Sequence, residues 1–150
     1  MYNFLESSVA DYMTSPVKTV RSSLTIRGLG ELFGLDDFNT YPVEENEHAV
    51  GLVTKFDFLN CFAFRSPNLV PRYEDLMNRT VVDIMTPQYI YVSPTTKITR
   101  VLQLMVDHHI KSIPVLEADS KLTGIISRKD IVRAFSSYPT DPSHTAFRIT

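Results

Sequence analysis

Long apolar runs, paired cysteines and a dominant charge sign are all missing from this chain, and each absence removes a class of function. No apolar stretch approaches the roughly 18 residues of a spanning helix, so membrane insertion is not expected. Cys61 is the only cysteine, which excludes an intrachain disulfide and suits a reducing compartment. Its own reading is a small buried helix residue rather than a nucleophile. Lys and Arg total 15 against 17 Asp and Glu, a net charge of -2, so no global field favours nucleic acid. Residues Met1 to Glu6 have neither the basic nor the apolar region of a secretory signal, and the expected location is cytoplasmic.

Catalytic patterns are equally scarce. His108 and His109 are adjacent rather than four apart, with no Cys or carboxylate at ligand spacing, so no metal site is expected. A solvated helix end suits them, and phosphate contact is the alternative reading. There is no Ser-His-Asp pattern, no Gly-rich phosphate loop and no basic-aromatic surface. The chain is therefore read as a non-enzyme with no catalytic residues. Met77, Met85 and Met105 fall at apolar positions and read as core. The acidic run Glu44 to Glu47 reads as a solvated turn.

What is present is a duplication. Among 150 residues, 43% hydrophobic and 21% charged, an offset of 72 lays Val9, Asp11, Met13 and Thr14 on Val81, Asp83, Met85 and Thr86. Pro42 and Val43 fall on Pro114 and Val115; one inserted residue later, Gly51, Thr54 and Asp57 fall on Gly124, Ser127 and Asp130. Each copy is too small for a comfortable core, so the two are expected to pack on each other. The boundaries read 1–62 for the first copy with its lead-in, 63–79 for a linker, 80–136 for the second copy and 137–150 for a tail.

Each copy reads strand, helix, strand, strand, helix, an α+β arrangement of two β-α-β-β-α units. In the second copy Thr80 caps a short turn, Tyr89 to Val92 is a strand, and apolar spacings of three and four predict a helix from Thr96 to His109. Strands Ser112 to Leu116 and Leu122 to Ile126 follow, then a helix from Arg128. In the first copy the strands are Val17 to Val20, Thr40 to Val43 and Val50 to Thr54, with helices Leu24 to Leu35 and Lys55 to Phe62. Gly28, Gly30 and Gly34 weaken the first of these helices by about 1 kcal/mol each, and they would let another backbone approach closely, so this face reads as an interface. In the linker, Pro71 to Met77 is a short helix, and the whole reads as a surface crossover or, more sharply, a lid or partner-contact segment.

The chemistry sits in the closing motif Gly-x-x-hydroxyl-x-x-Asp, present twice. Structurally it is a capping box on the last helix of each copy. Functionally, a helix N-terminus with a hydroxyl binds phosphate, and an Asp three residues on accepts from a pair of ribose hydroxyls. Lys55, Lys111, Arg128 and Lys129 are placed to neutralise phosphate, while Val20, Tyr41, Tyr91 and Ile113 offer a slot for a flat base.

These motifs, with Asp11 to Thr14 and Asp83 to Thr86 opening each copy and Tyr41-Pro42-Val43 and Ile113-Pro114-Val115 in the middle, resemble the cystathionine β-synthase (CBS) domain. Two in tandem resemble a CBS pair, or Bateman module, over about residues 9 to 136. The resemblance implies a pseudo-twofold regulatory module for adenosyl ligands (AMP, ADP, ATP, S-adenosylmethionine or NAD) that forms homodimers and signals to a partner or fused domain. It implies that Asp57 and Asp130 hold ribose and that Thr54, Lys55, Ser127 and Arg128 face phosphate. Thr19, Val20, Tyr91 and Val92, with Tyr41, Pro42, Ile113 and Pro114, would line the adenine slots. Each cleft would mix the closing motif of one copy with the opening strand of the other, Asp130 near Thr19 and Asp57 near Tyr91. The extra cation Lys111, against Asn39, and the acidic Asp36 and Asp37 assigned to the first copy, favour the Asp130 cleft. A ligand-free docking module is the alternative.

Overall fold

The structure, a computed structural model, describes residues 2–64 and 70–137. The helices are α1 (Tyr2–Glu6), α2 (Ile26–Leu35), α3 (Lys55–Asn60), α4 (Tyr73–Met77), α5 (Ile98–His108) and α6 (Arg128–Ser137). The strands are β1 (Thr40–Glu45), β2 (His48–Thr54), β3 (Ser112–Leu116) and β4 (Leu122–Ser127). They pair as two separate antiparallel hairpins, β1 with β2 and β3 with β4. The expected α+β duplication is present. Pro67 and Asn68 of the linker, and nearly all of the tail, lie outside the described residues.

The opening strands expected at 17–20 and 89–92 each shrink to one parallel bridge, Val20 to Val43 and Val92 to Val115. Val20 donates its N–H to Pro42 O, and its carbonyl oxygen accepts from Glu44 N–H; Val92 does the same with Pro114 and Leu116. Extending either ladder backwards needs an N–H that Pro42 and Pro114 lack. Forwards, the Ser22 N–H is taken by the Glu45 carboxylate at 3.0 Å, and Pro94 has no N–H to offer. The acidic run is thus part strand: Glu45 lies in β1, and only Asn46 and Glu47 form the turn, both with positive φ (51° and 67°), the geometry of a tight hairpin.

Helices α2, α4 and α5 start later than expected, and α3 and α5 stop earlier, while α2 ends at Leu35 and α3 and α6 begin at Lys55 and Arg128 as expected. Thr25 caps α2 through its hydroxyl and the Gly28 N–H at 3.1 Å. His109 closes α5 in the left-handed region, its N–H bonded to Met105 O. Helix α3 ends at Asn60, so Cys61 is a half-buried C-cap rather than a buried helix residue, and burial pushes its thiol pKa up. Gly30 gives its space to the ring of Phe58, 2.9 Å from where a Cβ would stand. The close neighbour of the glycine-bearing helix is therefore a side chain of α3. Helix α1 had no periodic signal in the sequence; Phe4, 2% exposed, anchors it against Phe135 with ring centres 5.0 Å apart.

The two copies trade their openings. Val9 belongs to the core built by Val92, Ile98, Val101, Ile113 and Ile126, while Val81 belongs to that of Val20, Leu29, Phe33, Tyr41 and Val53. The exchange repeats bond for bond. Thr14 pairs with Ile125 through two backbone hydrogen bonds of 2.8 and 3.1 Å, and Thr86 pairs with Leu52 through bonds of 2.8 and 3.0 Å. Gly124 and Gly51 make this approach possible: a Cβ on either would lie 2.9 or 3.0 Å from the carbonyl oxygen of Thr14 or Thr86. The glycine opening each closing motif is where one copy lies down on the other.

Candidate functional site

Helix α6 begins directly at the end of β4, so the last strand residue, Ser127, becomes its cap. The Asp130 N–H donates to Ser127 Oγ at 3.1 Å and the Ser127 N–H donates to Asp130 Oδ2 at 2.9 Å. The same box forms in the first copy between Thr54 and Asp57, with bonds of 2.9 and 3.0 Å. Both halves of the structural reading therefore hold, and the two carboxylates differ only in what else reaches them. Asp130 is 6% exposed and also accepts from Thr14 Oγ1 at 3.1 Å and from the Arg133 guanidinium at 2.6 Å. Among the described residues, the Asp57 carboxylate accepts no hydrogen bond beyond its box; Asn60 stands at the position equivalent to Arg133.

Beside Asp130 opens a cleft of about 450 Å³, a volume that suits a small-molecule ligand. Its walls come from three places: Thr14, Pro16, Val17 and Lys18 of the first opening segment, Asp37 to Thr40 at the start of β1, and Lys111 and Ser112 with Ile125, Ser127 to Asp130 and Arg133 of the second copy. The structure thus brings together Lys111, Ser127, Arg128 and Asp130, and mixes the closing motif of one copy with the opening of the other. The opening contributes Thr14, Pro16, Val17 and Lys18 rather than Thr19, which is half-buried and is not among the lining residues.

Several expected slot residues turn inward instead. Tyr41 and Ile113 are fully buried, Val20 and Val92 are 5% exposed, and Pro42 and Pro114 are buried between them. These side chains belong to the two cores because the bridges at Val20 and Val92 press the opening segments onto the hairpins. Pro16, Val17, Phe38 and Ile125 provide the apolar walls in their place. Buried Tyr41 still has a role: its hydroxyl donates to Asp36 Oδ2 at 2.6 Å and to Leu32 O at 3.1 Å. Burial raises its phenol pKa, and the bond to Asp36 adds to that.

The charge assignment of Asp36 and Asp37 also changes. Both meet cations of the Asp130 cleft, although Lys55 of the first copy also acts on Asp37. Lys18 Nζ lies 2.6 Å from Asp36 and Lys129 Nζ lies 2.5 Å from Asp37. The hydrogen bond from each lysine holds its carboxylate below the ordinary value of 3.8. Lys55, expected to face phosphate, stands over the Phe33 ring at 6.0 Å. On the other side of the molecule, Tyr91 is 60% exposed and meets Tyr89 edge-on. Tyr89 replaces Val17 at the equivalent position and donates its hydroxyl to Ala49 O of β2 at 2.7 Å. The two faces are unequal in wall residues as well as in charge.

Sequence reasoning missed Thr14, Lys18 and Arg133 at the Asp130 site. The repeated Met-Thr opening was the available signal for Thr14, and the three-residue spacing from Asp130 was the signal for Arg133. Among the described residues no group of three or more His, Cys, Asp or Glu could hold a metal, and no helix is long and apolar enough to cross a membrane.

Comparison with known proteins matches this geometry to a family. The chain is 32% identical over 135 residues to homoserine O-acetyltransferase of Methanococcoides burtonii, covering 89% of this chain and 25% of that protein. It is 28% identical to the chloroplastic CBS domain-containing protein CBSX2 of Arabidopsis thaliana, covering 85% of this chain and 63% of the relative. The chain thus spans less than two thirds of the curated relatives it matches. A crystal structure of CBSX2 in complex with AMP superposes with a TM-score of 0.73 at 28% identity, covering 86% of this chain and 96% of that one. Protein MJ1225 of Methanocaldococcus jannaschii shares the fold, with a TM-score of 0.81 at 22% identity over 87% of this chain and 48% of its own. The CBS domain model matches residues 9–63 and again 81–137, and the chain belongs to the CBS domain family as a tandem pair.

Proposed function

We propose that this CBS pair is a regulatory sensor that binds an adenosyl nucleotide of the AMP, ADP or ATP type in the Asp130 cleft and passes its occupancy to a partner or a fused domain. One observation carries the reading. A nearly buried carboxylate sits beside the N-terminus of α6, ringed by Lys18, Lys111, Arg128, Lys129 and Arg133. The cations and the positive end of the helix dipole suit phosphate, and the Asp130 carboxylate, with acceptor capacity left after its three bonds, suits ribose hydroxyls. The apolar walls suit a base. CBSX2, whose structure holds AMP, supports the ligand class. S-adenosylmethionine and NAD remain within that class. Thr54, Lys55, Asp57 and Tyr91 form the weaker second site, and the cytoplasm is the compartment that best suits a lone half-buried thiol.

Thermal shift and calorimetry with AMP, ADP, ATP, S-adenosylmethionine and NAD test this. A ligand at 100 times its Kd adds about 2.7 kcal/mol of stability. Asp130→Ala abolishes the shift and Asp57→Ala leaves most of it. Absence of any shift in the unaltered protein, or the reverse ranking of the variants, refutes the proposal.

A second reading, a dimerisation or docking module, draws on a groove between α5 and α6. Leu102, Met105, Ile110 and Ile131 line it, with Val106 and Val132 exposed at 69% and 67% on its rim. A homodimer through the helices would cover it. Sedimentation without ligand is the direct measurement, and a monomer at high concentration refutes this reading.

A further inference from the structure

We infer that Asp37 sets the ligand charge that the Asp130 cleft accepts, by holding Lys129 as an internal counter-ion that a ligand phosphate has to displace. The inference rests on the adenosyl reading of this cleft. Its geometric basis is the pair itself: Lys129 Nζ and Asp37 Oδ2 are 2.5 Å apart, 92 residues apart in sequence, and both line the cleft. The bond therefore joins a wall of the first copy to the first turn of α6, across the space a ligand enters.

The cations of the cleft fall into three kinds. Arg133 is committed to Asp130, and Lys18 is committed to Asp36, which Tyr41 clamps in turn at 2.6 Å. Lys111 and Arg128 have no carboxylate partner among the described residues. Lys129 alone is held by a carboxylate with no second anchor, on a side chain 91% exposed. Asp37 is ionised at neutral pH like any ordinary carboxylate, and the Lys129 hydrogen bond lowers its pKa further. A phosphate reaching Lys129 must push that charge aside, and an exposed side chain without other bonds is free to move. The penalty grows with the negative charge of the ligand. For a cationic adenosyl ligand the same carboxylate is an attraction.

Calorimetric titration of the full chain and of Asp37→Asn with AMP, ATP and S-adenosylmethionine reads this directly. Removing an exposed ion-pair partner tightens ATP about threefold, ~0.7 kcal/mol, tightens AMP by less, and weakens S-adenosylmethionine. In a Lys129→Gln background the Asp37→Asn gain vanishes, which a diffuse field effect would not produce. Both positions are exposed, and an unchanged melting temperature confirms intact folding. Equal affinities in the full chain and Asp37→Asn overturn the inference while leaving the adenosyl reading standing; so does a gain that survives Lys129→Gln. Failure of every probe to bind either protein removes the adenosyl reading and the inference together.

Discussion

Gly124→Ala is the substitution on which the exchange of openings stakes most. The added methyl would lie 2.8 Å from Met13 Sδ and 2.9 Å from Thr14 O. Met13 has flexible torsions and can swing away, but the Thr14 carbonyl is fixed by its part in the bridge to Ile125. Relief requires the opening segment to lift off β4, which strains or breaks two backbone hydrogen bonds. Overpacking of this kind costs about 1–3 kcal/mol, and each weakened hydrogen bond costs about 1 kcal/mol. Reduced freedom of the unfolded chain returns about 0.4–1 kcal/mol. The net loss is about 2–4.5 kcal/mol, a fall in Tm of ~4–18 °C for a chain of this size. Gly34→Ala is the matched control: it lies in α2 with ordinary φ and nothing within 4 Å of its Cβ position, so it gains about 0.5–1 kcal/mol. Urea and thermal unfolding of both variants give the comparison. If Gly124→Ala is as stable as the unaltered chain, or Gly34→Ala is the more damaging, the close approach described here is wrong.

Three further outcomes follow from other parts of the fold. Lys97 occupies the N-cap of α5 without a side-chain bond, where the first copy has Thr25; Lys97→Thr should add about 0.5–1 kcal/mol in urea unfolding, and a loss would count against the cap assignment. Ile126→Ala, at a fully buried position, should cost about 2–5 kcal/mol, whereas Val106→Ala on the exposed face of α5 should stay within about 0.5 kcal/mol. Because the Asp36 pKa is depressed below 3.8 in the folded chain, its stabilising effect is present above that value and is lost as pH falls through the folded pKa. The stability gap between the unaltered chain and Asp36→Asn should therefore hold from neutral pH down to about the ordinary carboxylate value of 3.8 and close only below it; a gap independent of pH would show that the carboxylate charge is not what matters.

The parts of this fold that sequence made legible are those with local causes. Apolar spacing located α5, and the hydroxyl three residues before an Asp located both capping boxes, because each is decided within one turn of chain. Non-local causes left weaker traces. Nothing in the periodicity of residues 17–20 says that the strand ends after one bridge, although Pro42, Pro94 and Pro114 were visible and, taken as missing donors, predict it. Tyr41 looked like a slot residue because an aromatic beside a proline is equally at home in a core. Asp36 and Asp37 were assigned to the nearer copy by position in the sequence, yet the turn after α2 delivers them to cations of the other cleft. For the site, the closing motif was legible; Thr14, Lys18 and Arg133 were not, since two of them arrive from the far end of the chain.

That crossing of openings bears on the order in which the molecule can be made. Val9 and Thr14 find their partners, Ile98 and Ile125, only after most of the chain exists, and the first hairpin waits for Thr86 to cover Leu52. During synthesis the first copy emerges with an orphaned opening and an uncovered strand edge, and it cannot close its core alone. Contacts of such sequence separation slow folding and leave apolar surface open meanwhile. The duplication is thus a pair of reciprocal templates: each copy completes its fold on the other, and neither is finished first.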